Sequence, residues 1–126
     1  MTKALNDIIV EALENVKGRD ITVLDVRELS DVMDTLIVVS GSTTRQVRAL
    51  ADSVIEDCKQ AGFRPLGIEG ADVGEWVLVD LGETVVHVML PATRAFYDLE
   101  RLWSLRPGDL AIAGGNNVPG ADPAGD

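Results

Sequence analysis

The sequence predicts a mixed α/β domain, a β-sheet packed with helices, and three observations carry that reading. Two β-branched runs, "ITVLDV" (Ile21–Val26) and "TLIVVS" (Thr35–Ser40), have the composition of strands. Two segments repeat apolar residues at helical spacing and end at a glycine, Gly18 and Gly62. The stretch "EWVLVDLGETVVHVML" (Glu75–Leu90) alternates apolar and polar residues on both sides of Gly82-Glu83, which is the pattern of a β-hairpin. In chain order these elements read α-β-β-α-β-β-β-α, an arrangement that buries a mixed sheet against helices.

Each element has its own justification. Residues 3–16 place Leu5, Ile8, Ile9, Ala12, Leu13 and Val16 on one helical face. The polar stretch "RELSDVMD" separates the first two strands. From Val47 a second stripe runs through Leu50, Ala51, Val54, Cys58 and Ala61, which makes Cys58 a small core residue rather than a reactive thiol. "RPLGIE" (Arg64–Glu69) reads as a short third strand, with a turn at Glu69-Gly70. A hairpin turning at Gly82-Glu83 pairs Asp80 with Val85, Leu78 with His87 and Trp76 with Met89. After Pro91, Thr93 is expected to cap a final helix carrying Phe96, Leu99, Leu102 and Trp103. Residues 1–105 form the expected domain, and the Gly- and Pro-rich remainder, 106–126, reads as a disordered tail.

Composition excludes several classes of function. With 46% hydrophobic and 25% charged residues the chain is of soluble globular type. No apolar run approaches the roughly 20 residues that span a bilayer, and the amino-terminal segment carries acids through its apolar stretch. A cytoplasmic protein without membrane contact is expected. One Cys and one His supply neither a disulfide nor a zinc site. The net charge of -10 repels nucleic acid phosphates, so direct nucleic acid recognition is not expected and a protein is the expected partner.

The segment "VVSGSTTRQVRALADSV" (Val38–Val54) poses the one catalytic question, since a strand that passes through Ser-Gly-Ser into a helix can cradle a phosphate. Nucleotidyl transfer at Gly41, Ser42 and Thr43 would require two carboxylates on one strand face to hold Mg²⁺. The following strand offers Glu69 alone, and the acid-x-acid match Asp98-Leu99-Glu100 falls in a helical pattern that points its acids apart. A capping box explains the corner instead, with Thr43 accepting from the Gln46 amide and the Gln46 side chain bonding back to Thr43. His87 sits inside a strand with no nucleophile to serve. No enzyme activity and no cofactor are expected, and nucleotide binding at the corner is the alternative.

The hairpin carries the other candidate. One face presents Val77, Val79, Leu81, Val86 and Val88, suited to packing on helices; the other presents Trp76, Leu78, Asp80, Val85, His87 and Met89. That second face suits an interface, with Tyr97 extending it where the last helix lies alongside. It equally suits a layer covered by the protein's own helices, with Trp76 filling a gap.

With these residues laid out, the chain resembles the Iojap-like ribosomal silencing factors. The matching segments are "LDV", Asp34 followed by "LIVVSGSTTRQVRALAD", "GFRPLGIEG", "EWVLVDLGETVVHVM" and "TRAFYDLERLW", which cover nearly all of residues 21–103. The resemblance implies a nucleotidyltransferase-like fold lacking the catalytic carboxylates. It also implies binding to the large ribosomal subunit through ribosomal protein fourteen, steric blockage of small-subunit joining, and repression of translation. Free members of the family are commonly homodimers, and organellar relatives act in ribosome assembly. Carried over by position, the docking surface is Trp76, Leu78, Asp80 and Tyr97. His87 and Met89 join it from hairpin geometry.

Overall fold

A computed structural model describes residues 4–103. Its elements are α1 (Leu5–Asn15), β1 (Arg19–Asp25), β2 (Thr35–Ser40), α2 (Thr44–Gln60), β3 (Gly67–Glu69), β4 (Trp76–Asp80), β5 (Thr84–Met89), α3 (Pro91–Tyr97) and α4 (Leu99–Trp103). The strands form one mixed sheet in the order β1-β2-β5-β4-β3. β2 runs parallel to β5, from Thr35 opposite Thr84 to Ser40 opposite Met89, and the other pairings are antiparallel. The expected tail at 106–126 lies outside the described residues.

The sheet has unequal layers. On one face α1 and α2 bring Ile9, Leu13, Val47, Leu50, Val54 and Cys58 against Ile37, Val39, Val77, Val79, Val86 and Val88. Each such aliphatic side chain contributes about 1.5–3 kcal/mol of hydrophobic stabilisation, so this layer dominates the fold. The opposite face buries a smaller cluster, Val26, Leu36, Val38 and Met89, beneath Trp76, Leu99 and Trp103. β2 is buried along its whole length because both layers cover it, which is why its sequence is a continuous apolar run and not an alternation.

Local chemistry sets the element ends. The hairpin register is the expected one, with Asp80 opposite Val85, Leu78 opposite His87 and Trp76 opposite Met89. Thr43 Oγ1 accepts from the Gln46 amide at 3.0 Å, as a capping box requires. The return bond differs from expectation: Gln46 Oε1 accepts from the Ser42 amide at 2.7 Å rather than from Thr43, and Gln46 Nε2 donates to the Val16 and Lys17 carbonyls. Gln46 thereby joins the start of α2 to the end of α1. β3 is shorter than the expected Arg64–Glu69, because Pro65 has no amide to extend a ladder.

The end of the chain departs most from the sequence reading. Leu90 is the N-cap residue of α3 and Pro91 its first residue, so Thr93 lies inside the helix and does not cap it. Proline is preorganised for that first position, where no amide bond is needed. The single final helix is in fact two, broken at Asp98 with φ of 48°. A short polar side chain tolerates that left-handed conformation, which turns α4 back onto the sheet.

Candidate docking groove

The break at Asp98 separates two roles in what the sequence presents as one apolar stripe. Beyond it, Leu99 and Trp103 pack on the sheet. Before it, α3 buries none of its residues, and Phe96, expected to share the stripe of Leu99, is 80% exposed. Phe96 meets Tyr97 edge to face at a centroid distance of 4.9 Å, and Tyr97 lies 4.6 Å from Trp76 at 47°. These rings, with Gly70, Val73, Glu75, Ala92 and Thr93, line a groove of about 460 Å³. Val73 is also largely exposed, so the groove presents aromatic and aliphatic surface to solvent.

Arg94 fixes α3 and α4 relative to the sheet. Its Nε and Nη2 donate to the two carboxylate oxygens of Glu100 at 2.9 and 2.8 Å, while Nη1 reaches Ser40 Oγ and Nη2 reaches Thr22 Oγ1. The hydrogen bond from Arg94 holds the Glu100 carboxyl below its ordinary range against the opposing effect of burial. One guanidinium thus spans β1, β2, α3 and α4, a bidentate arrangement suited to holding a fixed angle.

Of the six residues expected at the site, five share a sheet face and Tyr97 stands on α3 beside it, and they differ in depth. Trp76 and Tyr97 stand together in the groove. Leu78 is half-buried on β4. Asp80 sits at the hairpin end of the strand, where Oδ1 accepts from the Gly82 amide at 2.9 Å. His87 is 8% exposed, and its Nδ1 accepts from Trp76 Nε1 at 2.9 Å. Burial pushes its pKa down to about 4, so the ring is neutral at pH 7 and able to accept. Met89 is fully buried beneath the α4 layer, so it supports the surface and does not form it. The face is covered at β2 and β5 and open around Trp76 and Tyr97. The sequence reading assigned none of Val73, Phe96 and Gly70 to the site, and only the aromatic character of Phe96 signals a role in advance.

The Ser-Gly-Ser corner is engaged structurally, because the Ser42 amide is taken by Gln46. Cys58 is buried, and desolvation pushes its thiol up to about 11, as befits a core residue. Among the described residues no group of three or more His, Cys, Asp or Glu side chains is placed to hold a metal ion.

Fold and groove together define the class, a five-stranded mixed α/β domain that presents an aromatic groove between its hairpin and its first carboxy-terminal helix. The chain belongs to the family described as "Ribosomal silencing factor during starvation", which it matches over residues 1–121. It is 47% identical over 108 residues to the ribosomal silencing factor RsfS of Chromobacterium violaceum, covering 86% of this chain and 88% of that one. It is 44% identical over 101 residues to the RsfS of Haemophilus influenzae, covering 80% of this chain and 99% of that one. A crystal structure of a Chromobacterium violaceum protein, 47% identical, superposes with a TM-score of 0.80 over 85% of this chain and 90% of that chain.

Proposed function

We propose that this protein represses translation by docking on the large ribosomal subunit through ribosomal protein fourteen, where its bulk blocks joining of the small subunit. The observation that carries the reading is the open ring cluster of Trp76, Phe96 and Tyr97 beside Val73. Clustered aromatic residues in a concave site are the usual anchors of a protein interface. Membership of the silencing-factor family supplies the ribosome as the target. The net charge of -10 favours a basic protein on that target over ribosomal RNA. Repression by occlusion asks only for affinity and bulk, which suits a site built from rings and not from acids or nucleophiles. The protein acts in the cytoplasm and pairs as a homodimer when free; among the described residues no helix is long and apolar enough to cross a membrane.

The test is cosedimentation of the full chain with isolated large subunits, isolated small subunits and rejoining mixtures. Comigration with large subunits alone, together with fewer joined ribosomes, is expected. Protein left at the top of every gradient at physiological salt would overturn the proposal.

A further inference from the structure

The groove wall at Val73 belongs to a loop, 70–74, whose ends are packed, with Gly74 buried and Gly70 against the Trp76 backbone, and whose middle is not. Ala71, Asp72 and Val73 are all exposed. The loop closes on itself through the Gly74 amide, which donates to the Gly70 carbonyl at 3.0 Å. The three exposed residues that this bond spans bury little to offset the entropy of ordering them.

The missing hold comes from α2. Arg48 Nε donates to the Ala71 carbonyl at 2.8 Å, and Nη2 donates to the Asp72 and Val73 carbonyls at 2.7 and 3.2 Å. Three successive carbonyls converge on one guanidinium, as the last carbonyls of a helix converge on a cation. A second observation shows how close the fit is. A Cβ at Gly74, whose φ is +81°, would lie 3.0 Å from Arg48 Cζ and 3.1 Å from both Nε and Nη2. Glycine at this position leaves the guanidinium its place. α2 itself is anchored by Val47, Leu50, Ala51, Val54 and Cys58, so Arg48 extends from a rigid element to a loop that has no such anchor.

We propose that Arg48 is a positioning residue for the docking groove: it orders the 70–74 loop and thereby holds Val73 in the lining that Trp76, Phe96 and Tyr97 complete. This rests on the docking reading above, and it assigns a role in that surface to a residue outside it. Arg48 acts through Val73 and makes no contact with the partner. Lysine at this position retains a donor but loses the fork that reaches three carbonyls at once.

The experiment uses the full chain as Arg48→Ala, Arg48→Lys, Val73→Ala and the Arg48→Ala/Val73→Ala double variant, titrated against isolated large ribosomal subunits, with Trp76→Ala alongside. Amide exchange by NMR is followed at Gly74 and along α2. Arg48→Ala is expected to weaken binding about fivefold, the scale of ordering a loop at an interface. Arg48→Lys recovers part of that loss. The double variant binds no more weakly than Val73→Ala alone, because the arginine has nothing left to position. Gly74 exchanges about tenfold faster in Arg48→Ala while α2 keeps its protection. Additive losses would show Arg48 touching the partner directly and would overturn the proposal, as would a change in binding below about twofold or unchanged Gly74 exchange. Should Trp76→Ala bind like the wild type, the docking reading itself falls, and Gly74 exchange still decides whether Arg48 orders the loop.

Discussion

Replacing Phe96 with alanine separates the surface from the scaffold more cleanly than any other change in the groove. The ring is 80% exposed on a helix that buries none of its residues, so truncation removes little burial. What it loses is the edge-to-face contact with Tyr97 at 4.9 Å, worth about 0.5–1.5 kcal/mol. Alanine returns part of this, about 0.5 kcal/mol, through its better helix propensity. The net effect on stability is below about 1 kcal/mol, which in a domain of this size moves Tm by less than about 6 °C. Binding should respond far more strongly. An aromatic anchor desolvated in an interface is worth about 2 kcal/mol, or about thirtyfold in Kd. The two quantities are read by thermal denaturation and by titration against isolated large subunits. A variant that melts like the wild type and binds within about twofold of it would refute the assignment of the groove as the docking surface. A fall in Tm beyond about 10 °C would refute the exposure on which the calculation rests.

Five further outcomes are expected. Burial holds the pKa of His87 at about 4 against an ordinary 6.5, so as pH falls the unfolded chain takes up the proton first. Its contribution to stability is complete above pH 6.5 and declines between there and pH 4 by about 3 kcal/mol. Chemical denaturation across that window should show His87→Gln without this loss, and parallel curves would refute it; Glu100, whose folded pKa is also lowered, acts in the same direction at lower pH and remains in both proteins. Arg94→Ala removes the bidentate bond to Glu100 and the bonds to Ser40 and Thr22. It should cost about 2 kcal/mol in urea denaturation, and a loss under about 0.5 kcal/mol would mean the bridge does not hold α4. Gly70→Ala puts a Cβ 2.0 Å from the Trp76 carbonyl oxygen at a φ of +84°. Backbone cannot swing aside as a side chain can, so a loss above about 2 kcal/mol is expected, with wild-type stability the refuting result. Thr43→Ala removes the α2 cap and should cost about 1 kcal/mol; calorimetry with millimolar nucleotide and Mg²⁺ on the parent protein should give no heat, since Gln46 occupies the Ser42 amide.

What the sequence made legible follows from which forces act over short distances. The hairpin register was readable because a turn at Gly82-Glu83 fixes every opposite pair at once. The start of α2 was readable because a cap is a local bond between Thr43 and Gln46. Depth was not readable: alternation puts His87 and Met89 on the same face as Trp76, but only the position of α4 decides that Met89 is sealed while Trp76 reaches the groove. The position of α4 depends in turn on Asp98, an acid with nothing in its neighbours to mark it as the one residue that leaves the helical conformation. Arg48 was equally silent, because an arginine on the exposed side of a helix looks the same whether water or three carbonyls surround it.

These omissions share a cause. A strand face or a cap is encoded by neighbours in sequence, whereas the groove is assembled where α3, the hairpin and the 70–74 loop meet, and each reaches that place through a different tether. Arg94 supplies the first, the Trp76–His87 bond belongs to the second, and Arg48 supplies the third. Each tether joins groups separated by 11 or more residues; Arg94 and Arg48 tie surface elements to the sheet and to α2, and the Trp76–His87 bond fixes the Trp76 ring within the hairpin. A surface held in this way can keep Phe96 and Tyr97 exposed to solvent, because its geometry is set by the polar bonds behind it together with the packing of Trp76 on the sheet. Substitutions at Arg94 or Arg48 should therefore alter docking while leaving every ring in the sequence untouched.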